Sequence, residues 1–162
     1  MSTHPAAPEG FTLIELVMVM VLVGILAAAA IPRFVGLQSF SARGFFDQTV
    51  TMLRYAQKVA IAQRRDVFVN IDASTGNICL TYVADALCSN LASALINPAD
   101  QKRFLKTVPA GGTFGTSLSF SFSALGRPSQ NNALLLNPLL VTVSGDGVTN
   151  TITVERESGY VH

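Results

Sequence analysis

Gly10-Phe11-Thr12-Leu13-Ile14-Glu15-Leu16 opens a run that stays apolar as far as Ile31, broken only by Thr12, Glu15 and Gly24. In a helix, about 20 such residues cover the roughly 30 Å hydrocarbon core of a bilayer. Residues 11–32 are therefore expected to form a transmembrane helix. A carboxylic acid near the middle of a lipid-facing helix costs roughly 2.5–3.5 kcal/mol, so Glu15 needs a partner or a task. A cleaved secretory signal would use Ala28-Ala29-Ala30 as its small-residue site. Against it, the run is longer than a signal core, contains a carboxylate, and follows residues 1–10 that hold no Lys or Arg. A plain single-span anchor explains the length and the hydrophobicity but leaves Glu15 without a reason.

The rest of the composition agrees with one small domain behind such a segment. Of 162 residues, 49% are hydrophobic and 13% charged, too apolar for a disordered chain and low in charge for a soluble one. The formal charge is +1. Removing Glu9 and Glu15 from the 10 acidic residues leaves 8 against 11 basic ones over residues 33–162, a mild excess. Those bases are scattered, with Arg64-Arg65 and Lys102-Arg103 the only adjacent pairs, whereas a nucleic-acid footprint needs a dense basic stripe. The two cysteines, Cys79 and Cys88, have no basic or histidine neighbour to lower a thiol pKa. Beyond an inner membrane they are expected to pair, contributing roughly 2.5–3 kcal/mol by the chain-entropy argument. The only histidines, His4 and His162, stand at opposite ends of the chain, so no metal site is expected.

The stretch Gly10-Phe11-Thr12-Leu13-Ile14-Glu15-Leu16 resembles the processing site of type IV prepilins and type II secretion pseudopilins. The resemblance implies a leader over residues 1–10, cleavage between Gly10 and Phe11 by a prepilin peptidase, and methylation of the new Phe11 amine. It also implies that Glu15 serves assembly, pairing with the N-terminal amine of an adjacent subunit. Two buried charges neutralised together cost far less than either alone. Gly24 and Pro32 fall where the family tolerates helix breaks, and the stretch between them is expected to loosen in a filament; glycine is also common in membrane helices, and Pro32 equally suits the exit from lipid. Arg33 and Arg43 follow the span, so the positive-inside rule taken alone points the other way. The motif and the cysteine pair place the C-terminal domain in the periplasm, with a single pass through the inner membrane.

Residues 33–65 continue the helix as an amphipathic segment, with Phe46, Val50, Leu53 and Ala60 at spacings of three, four and seven. Phe45, Met52 and Tyr55 read as packing residues. Residues 66–162 form a β-rich head. Val67, Val69 and Ile71, then Ile78, Leu80 and Tyr82, alternate around the turn Ala73-Ser74-Thr75-Gly76 as a hairpin. The turn carries one carboxylate, Asp72, too few oxygens for calcium. Residues 84–112 have no period and are expected to form a long surface loop, the best place for a partner-specific surface. Leu118, Phe120 and Phe122 alternate with serines, Leu134 to Leu136 is a short apolar run, and Val141, Val143, Ile152 and Val154 flank the turn Gly145-Asp146-Gly147. The fold class is α+β: a long N-terminal helix, its first half transmembrane, packed on an antiparallel β-sheet.

No HExxH, GxSxG, GxxxxGK[ST] or GxGxxG pattern occurs, so no enzyme and no cofactor is expected. The order of elements, with Leu125-Gly126-Arg127-Pro128 and a last hairpin ending near Gly159, is similar to minor pseudopilins of the GspH and FimT type. It is similar also to minor pilins of mannose-sensitive haemagglutinin pili. The resemblance implies a minor subunit of a type II secretion pseudopilus or type IV pilus, in a tip or initiation complex, with other major and minor pilins or pseudopilins as partners. DNA capture is the alternative. Some FimT-type proteins carry a C-terminal Gly-Arg-x-Arg element, but here the stretch reads Gly159-Tyr160-Val161-His162, without either arginine. A membrane-anchored periplasmic domain outside any filament is the second alternative.

Overall fold

The computed structural model describes residues 12–162 apart from Asn132 and Asp146, and for residues 29–42 the backbone alone. The chain divides into two compact units, Met1–Leu37 and Gln38–His162. A single helix, α1 (Leu13–Gln63), begins in the first and ends in the second. It starts behind Thr12, whose carbonyl accepts the amides of Glu15 at 3.1 Å and Leu16 at 3.2 Å. It stops at Arg64, whose φ of 51° is left-handed. There the Arg64 amide bonds to the Ile61 carbonyl and the Arg65 amide to the Ala60 carbonyl, the paired bonds that close a helix end around a left-handed residue. In the single chain α1 runs through Gly24 and Pro32; the loosening expected between them is one expected in a filament. One proline removes one backbone bond, which need not end a helix whose other bonds persist. Among the described residues no helix is long and apolar enough to cross a membrane. The span expected at 11–32 extends onto Phe11 and onto side chains outside those described.

Among the described residues of the second unit nine strands follow: β1 (Val67–Asp72), β2 (Asn77–Thr81), β3 (Leu105–Thr107), β4 (Gly112–Phe114), β5 (Leu118–Phe122), β6 (Pro128–Gln130), β7 (Ala133–Leu134), β8 (Leu139–Gly145) and β9 (Val148–Val154). They form the expected antiparallel sheet, divided in two, in the orders β3-β2-β1-β5-β6-β7 and β4-β8-β9. The hairpins β1–β2 and β8–β9 fall where alternation places them, with Asp72 opposite Asn77 and Gly145 opposite Val148.

The core collects Val67, Val69 and Ile71 of β1, Ile78 and Leu80 of β2, Phe120 and Phe122 of β5, Val141 and Val143 of β8, and Ile152 and Val154 of β9. The buried stripe of α1 is Phe45, Thr49, Met52, Leu53, Ala56 and Ala60. Of the expected apolar side, Leu53 and Ala60 are fully buried, and Phe46 and Val50 are half-buried at its margin. Thr49 is tolerated inside because its hydroxyl donates to the Phe45 carbonyl one turn back, at 2.9 Å.

Residues 84–112, expected as a long surface loop, hold more regular structure than that: a 3-10 turn (Leu91–Ser93), the bridges Thr81↔Ala94 and Ile96↔Arg103 and strand β3, with β4 beginning at Gly112. Leu95 and Phe104 from this stretch enter the core. Leu134 to Leu136, by contrast, lies largely outside: Leu134 and Leu136 are exposed and Leu135 is half-buried. Strand β7 is two residues at a sheet edge, too short to bury them.

Candidate assembly site

Gly10 and Phe11 lie outside the described residues, so the processing junction itself has no geometry here. From Thr12 onward the site is defined. Glu15 sits in the first turn of α1, exposed, and its amide reaches both the Thr12 carbonyl and, at 3.4 Å, the Thr12 hydroxyl oxygen. Thr12-x-x-Glu15 has the residue types and spacing of a capping box. That signal stands in the sequence and is a functional feature that reading Glu15 solely as an assembly charge overlooks.

Every described side chain from Thr12 to Ala28 is exposed, with Leu13 at 80% and Leu26 at 69%. A helix apolar on all faces has no side suited to water. Its chemistry is that of a surface to be covered by lipid or by other helices.

The head has its own built feature. Cys79 and Cys88 form a disulfide with their Cα atoms 5.9 Å apart. The bond ties the segment after β2 to the back of the first sheet, where Asn70 of β1 is fully buried. All four hydrogen-bonding positions of the Asn70 amide are used. Its nitrogen donates to Thr81 Oγ1 at 2.8 Å and approaches Cys79 Sγ at 3.8 Å; its oxygen accepts from Ser119 Oγ at 2.7 Å and from the Asp85 amide at 3.3 Å. The Asp85 carboxylate in turn accepts from the Asn90 amide and the Ser89 hydroxyl. Burial pushes its pKa up, but the bonds from Asn90, Ser89 and Leu87 outweigh that and hold it below its ordinary 3.8. Asp72 is likewise held low, first by the Ser74 hydroxyl and then by that of Thr75. Its carboxylate organises the turn and is used up in doing so.

At the other end of the head, Arg54 donates twice to the Val161 carbonyl, at 3.1 and 2.9 Å, and Gln57 donates to the carbonyls of Gly126 and Ser158. The tail is thereby stitched to α1, and Thr153 and His162 exchange backbone bonds. Gly159 has a φ of 66°, and a Cβ there would stand 2.1 Å from the Gly126 carbonyl oxygen, so the loop 125–128 and the tail meet as bare backbone. Arg127 pairs with Glu157, while Arg156 bonds the Leu136 carbonyl. These guanidinium groups serve the head's own structure. Tyr160 stacks on His162 with ring centroids 5.4 Å apart. An open groove of about 410 Å³ runs between α1 and residues 97–106, lined by Asp47, Gln48, Thr51, Asn97, Phe104 and Lys106. Among the described residues no group of three or more His, Cys, Asp or Glu could hold a metal ion.

Comparison with known proteins falls on the same two features, the N-terminal segment and the head. Residues 8–31 match the family described as the prokaryotic N-terminal methylation motif. The type IV narrow pilus major component PilA5 of Thermus thermophilus is 42% identical over 59 residues, which is 36% of this chain and 51% of that protein. The chain thus spans about half the length of this curated relative. Among solved structures, the minor pseudopilin EpsH of the Vibrio cholerae type 2 secretion system superposes with a TM-score of 0.51 at 16% identity, over 77% of this chain and 94% of that one. The type IV minor pilin FimU of Pseudomonas aeruginosa gives 0.49 at 14% identity, over 77% and 86%. The likeness to EpsH is one of fold. The chain carries a prokaryotic N-terminal methylation motif over residues 8–31, followed by a fold like that of EpsH, in which a long N-terminal helix packs on antiparallel sheet.

Proposed function

We propose that the protein is a minor pilin or pseudopilin, cut between Gly10 and Phe11, methylated at Phe11, and assembled into a pilus-like filament. The observation that carries this reading is the methylation motif over residues 8–31, continued by a helix whose described side chains up to Ala28 are exposed and, apart from Glu15, apolar on every face. Before assembly, residues 11–32 lie in the inner membrane and the head in the periplasm, an oxidising compartment that suits the Cys79–Cys88 bond. Cleavage leaves an ammonium on Phe11 in a medium without water. Glu15 of a neighbouring subunit supplies the opposite charge, so a subunit leaves the membrane most readily where that charge is offered. Gly24 and Pro32 are the places where α1 loosens on incorporation. A tip or initiation complex is the position this reading assigns, with other minor subunits as partners and the prepilin peptidase as processing enzyme.

The test is Glu15→Val at equal membrane abundance. Insertion is unchanged or improved, since a costly carboxylate is gone, and the head keeps its thermal stability. Incorporation fails, because the Phe11 ammonium is left with an unpaired desolvation cost of several kcal/mol. Co-purification with sheared filaments or with partner pilins measures it. Normal assembly of the variant would leave a membrane-anchored periplasmic domain as the better description.

A further inference from the structure

We propose that strand β9 is a docking edge for a second copy of this chain: two β9 strands pair antiparallel over Val148–Ile152 and join the three-stranded sheets of two heads into one. The inference concerns the head alone and stands whether or not the chain is cut after Gly10.

A sheet edge offers a row of backbone groups to any strand that reaches it, and proteins blunt such edges by keeping them short or by placing charges or proline on them. The other edge strands among the described residues are blunted. β3, with Lys106 at its centre, and β4 have three residues each, and β7 has two. β9 has seven, Val-Thr-Asn-Thr-Ile-Thr-Val, with neither a charge nor a proline.

The register shows which of its backbone groups point outward. Thr153 exchanges bonds with His162, at 2.7 and 3.0 Å, on the side away from β8. Backbone direction alternates along a strand, so Thr149 and Thr151 turn their amides and carbonyls the same way. Both residues are exposed, and among the described residues nothing pairs with these groups. A 2.8 Å bond between the hydroxyls of Ser144 and Thr149 holds that end of the edge in place.

The free positions select the occupant. They lie symmetrically about Asn150, so an identical edge laid antiparallel sets Thr149 of each copy opposite Thr151 of the other. Every free amide then meets a free carbonyl, and the Thr–Thr pairs add side-chain contact across the seam. Val148, 57% exposed, falls opposite Ile152, and Gly147, which arrives beside His162, brings no side chain. No charge in the paired stretch repels its own copy. A seam this short buries less than the roughly 1,200 Å² of a stable interface, so pairing is weak in dilute solution and favoured where heads are held at high local concentration.

The experiment uses the full-length chain in detergent micelles, oxidised with copper phenanthroline and followed on non-reducing gels. In this register Asn150 stands opposite its own copy as a non-hydrogen-bonded pair, with Cα atoms about 4.5 Å apart, within reach of a disulfide. Asn150→Cys should therefore cross-link to itself, while Thr142→Cys, on β8 between two strands, should not. Adding Thr151→Pro, which removes an outward amide and no bond to β8, should reduce the Asn150→Cys cross-link about tenfold or more. Thr149→Lys with Thr151→Lys sets like charges across the seam and should do the same, which keeps the test valid if proline disturbs the head. Equal cross-linking of the Asn150→Cys and Thr142→Cys chains would overturn the proposal. So would an Asn150→Cys chain that stays monomeric, or a cross-link that survives both edge variants. In whole membranes, a cross-link from Asn150→Cys to a different protein in place of the self-dimer would overturn it as well.

Discussion

Residues 13–28 of α1 and the strands β1 and β5 are all rich in large apolar side chains, yet their fates are opposite. Leu13, Ile14 and Met18 are exposed, while Val67, Val69, Phe120 and Phe122 are at most 2% exposed. The strands pair and turn one face to a core the chain builds for itself. The first part of the helix satisfies its backbone internally and presents apolar side chains all round, so its partner has to come from outside the folded head. The contrast separates folding from assembly. Damage to the strands should cost stability, and damage to the N-terminal segment should cost processing or incorporation.

The largest stability effect is expected at Phe122. Its ring is fully buried, edge-on to Phe120 at 5.4 Å. Phe122→Ala should destabilise the isolated head by about 3–5 kcal/mol, the usual cost of removing a buried aromatic side chain, measured by urea denaturation. A loss under about 1 kcal/mol, well below that range, would mean that the core is not where the burial places it. Next comes the disulfide. Replacing Cys79 and Cys88 together by Ala should cost roughly 2–4 kcal/mol and raise amide exchange from Asp85 to Leu95, because that segment is held over Asn70 by the bond and a few polar contacts. Unchanged exchange would show that Leu95 and the bridge to Ala94 suffice.

The smallest effect belongs to the Asp72 turn. The hydroxyls of Ser74 and Thr75 lower the folded-state pKa below the ordinary value of 3.8. The stabilisation is therefore fully present above that value and is lost as pH falls through the folded pKa. Thermal midpoints of the head should decline on acidification below about pH 4, and Asp72→Asn should decline less steeply. Parallel curves for the two proteins would show that the Asp72 turn adds nothing to acid sensitivity.

Much of this division was legible in the residues. The apolar run with its one carboxylate, the alternation of Val67 to Leu80 and the hairpin at Gly145 to Gly147 each carry a period or a turn residue that local physics imposes. What escaped had no local signature. Of the apolar positions read on α1, Phe45, Met52, Leu53 and Ala60 are buried while Phe46, Val50 and Tyr55 are half-buried, because all are compatible with an apolar stripe and only the sheet chooses between neighbouring phases. Strands β3 and β4 have three residues each, fewer than alternation needs. The split into two sheets depends on which distant strand β8 pairs with, and no run of residues encodes that. The short apolar run Leu134 to Leu136 is mostly surface, since hydrophobicity alone does not decide burial. Nothing in the local sequence announces that Arg54 and Gln57 hold the tail. The Thr12-x-x-Glu15 spacing was readable, because a capping box is written in local residue types alone.

If residues 1–10 are a leader, Phe11 is the working terminus of the subunit. The most direct measurement is the mass of the protein extracted intact from membranes, with its N-terminal peptide sequenced by fragmentation. The expected chain begins at N-methylated Phe11 and carries the Cys79–Cys88 bond. A chain still beginning at Met1, or one beginning at Ile31 after cleavage at the alanines, would contradict it.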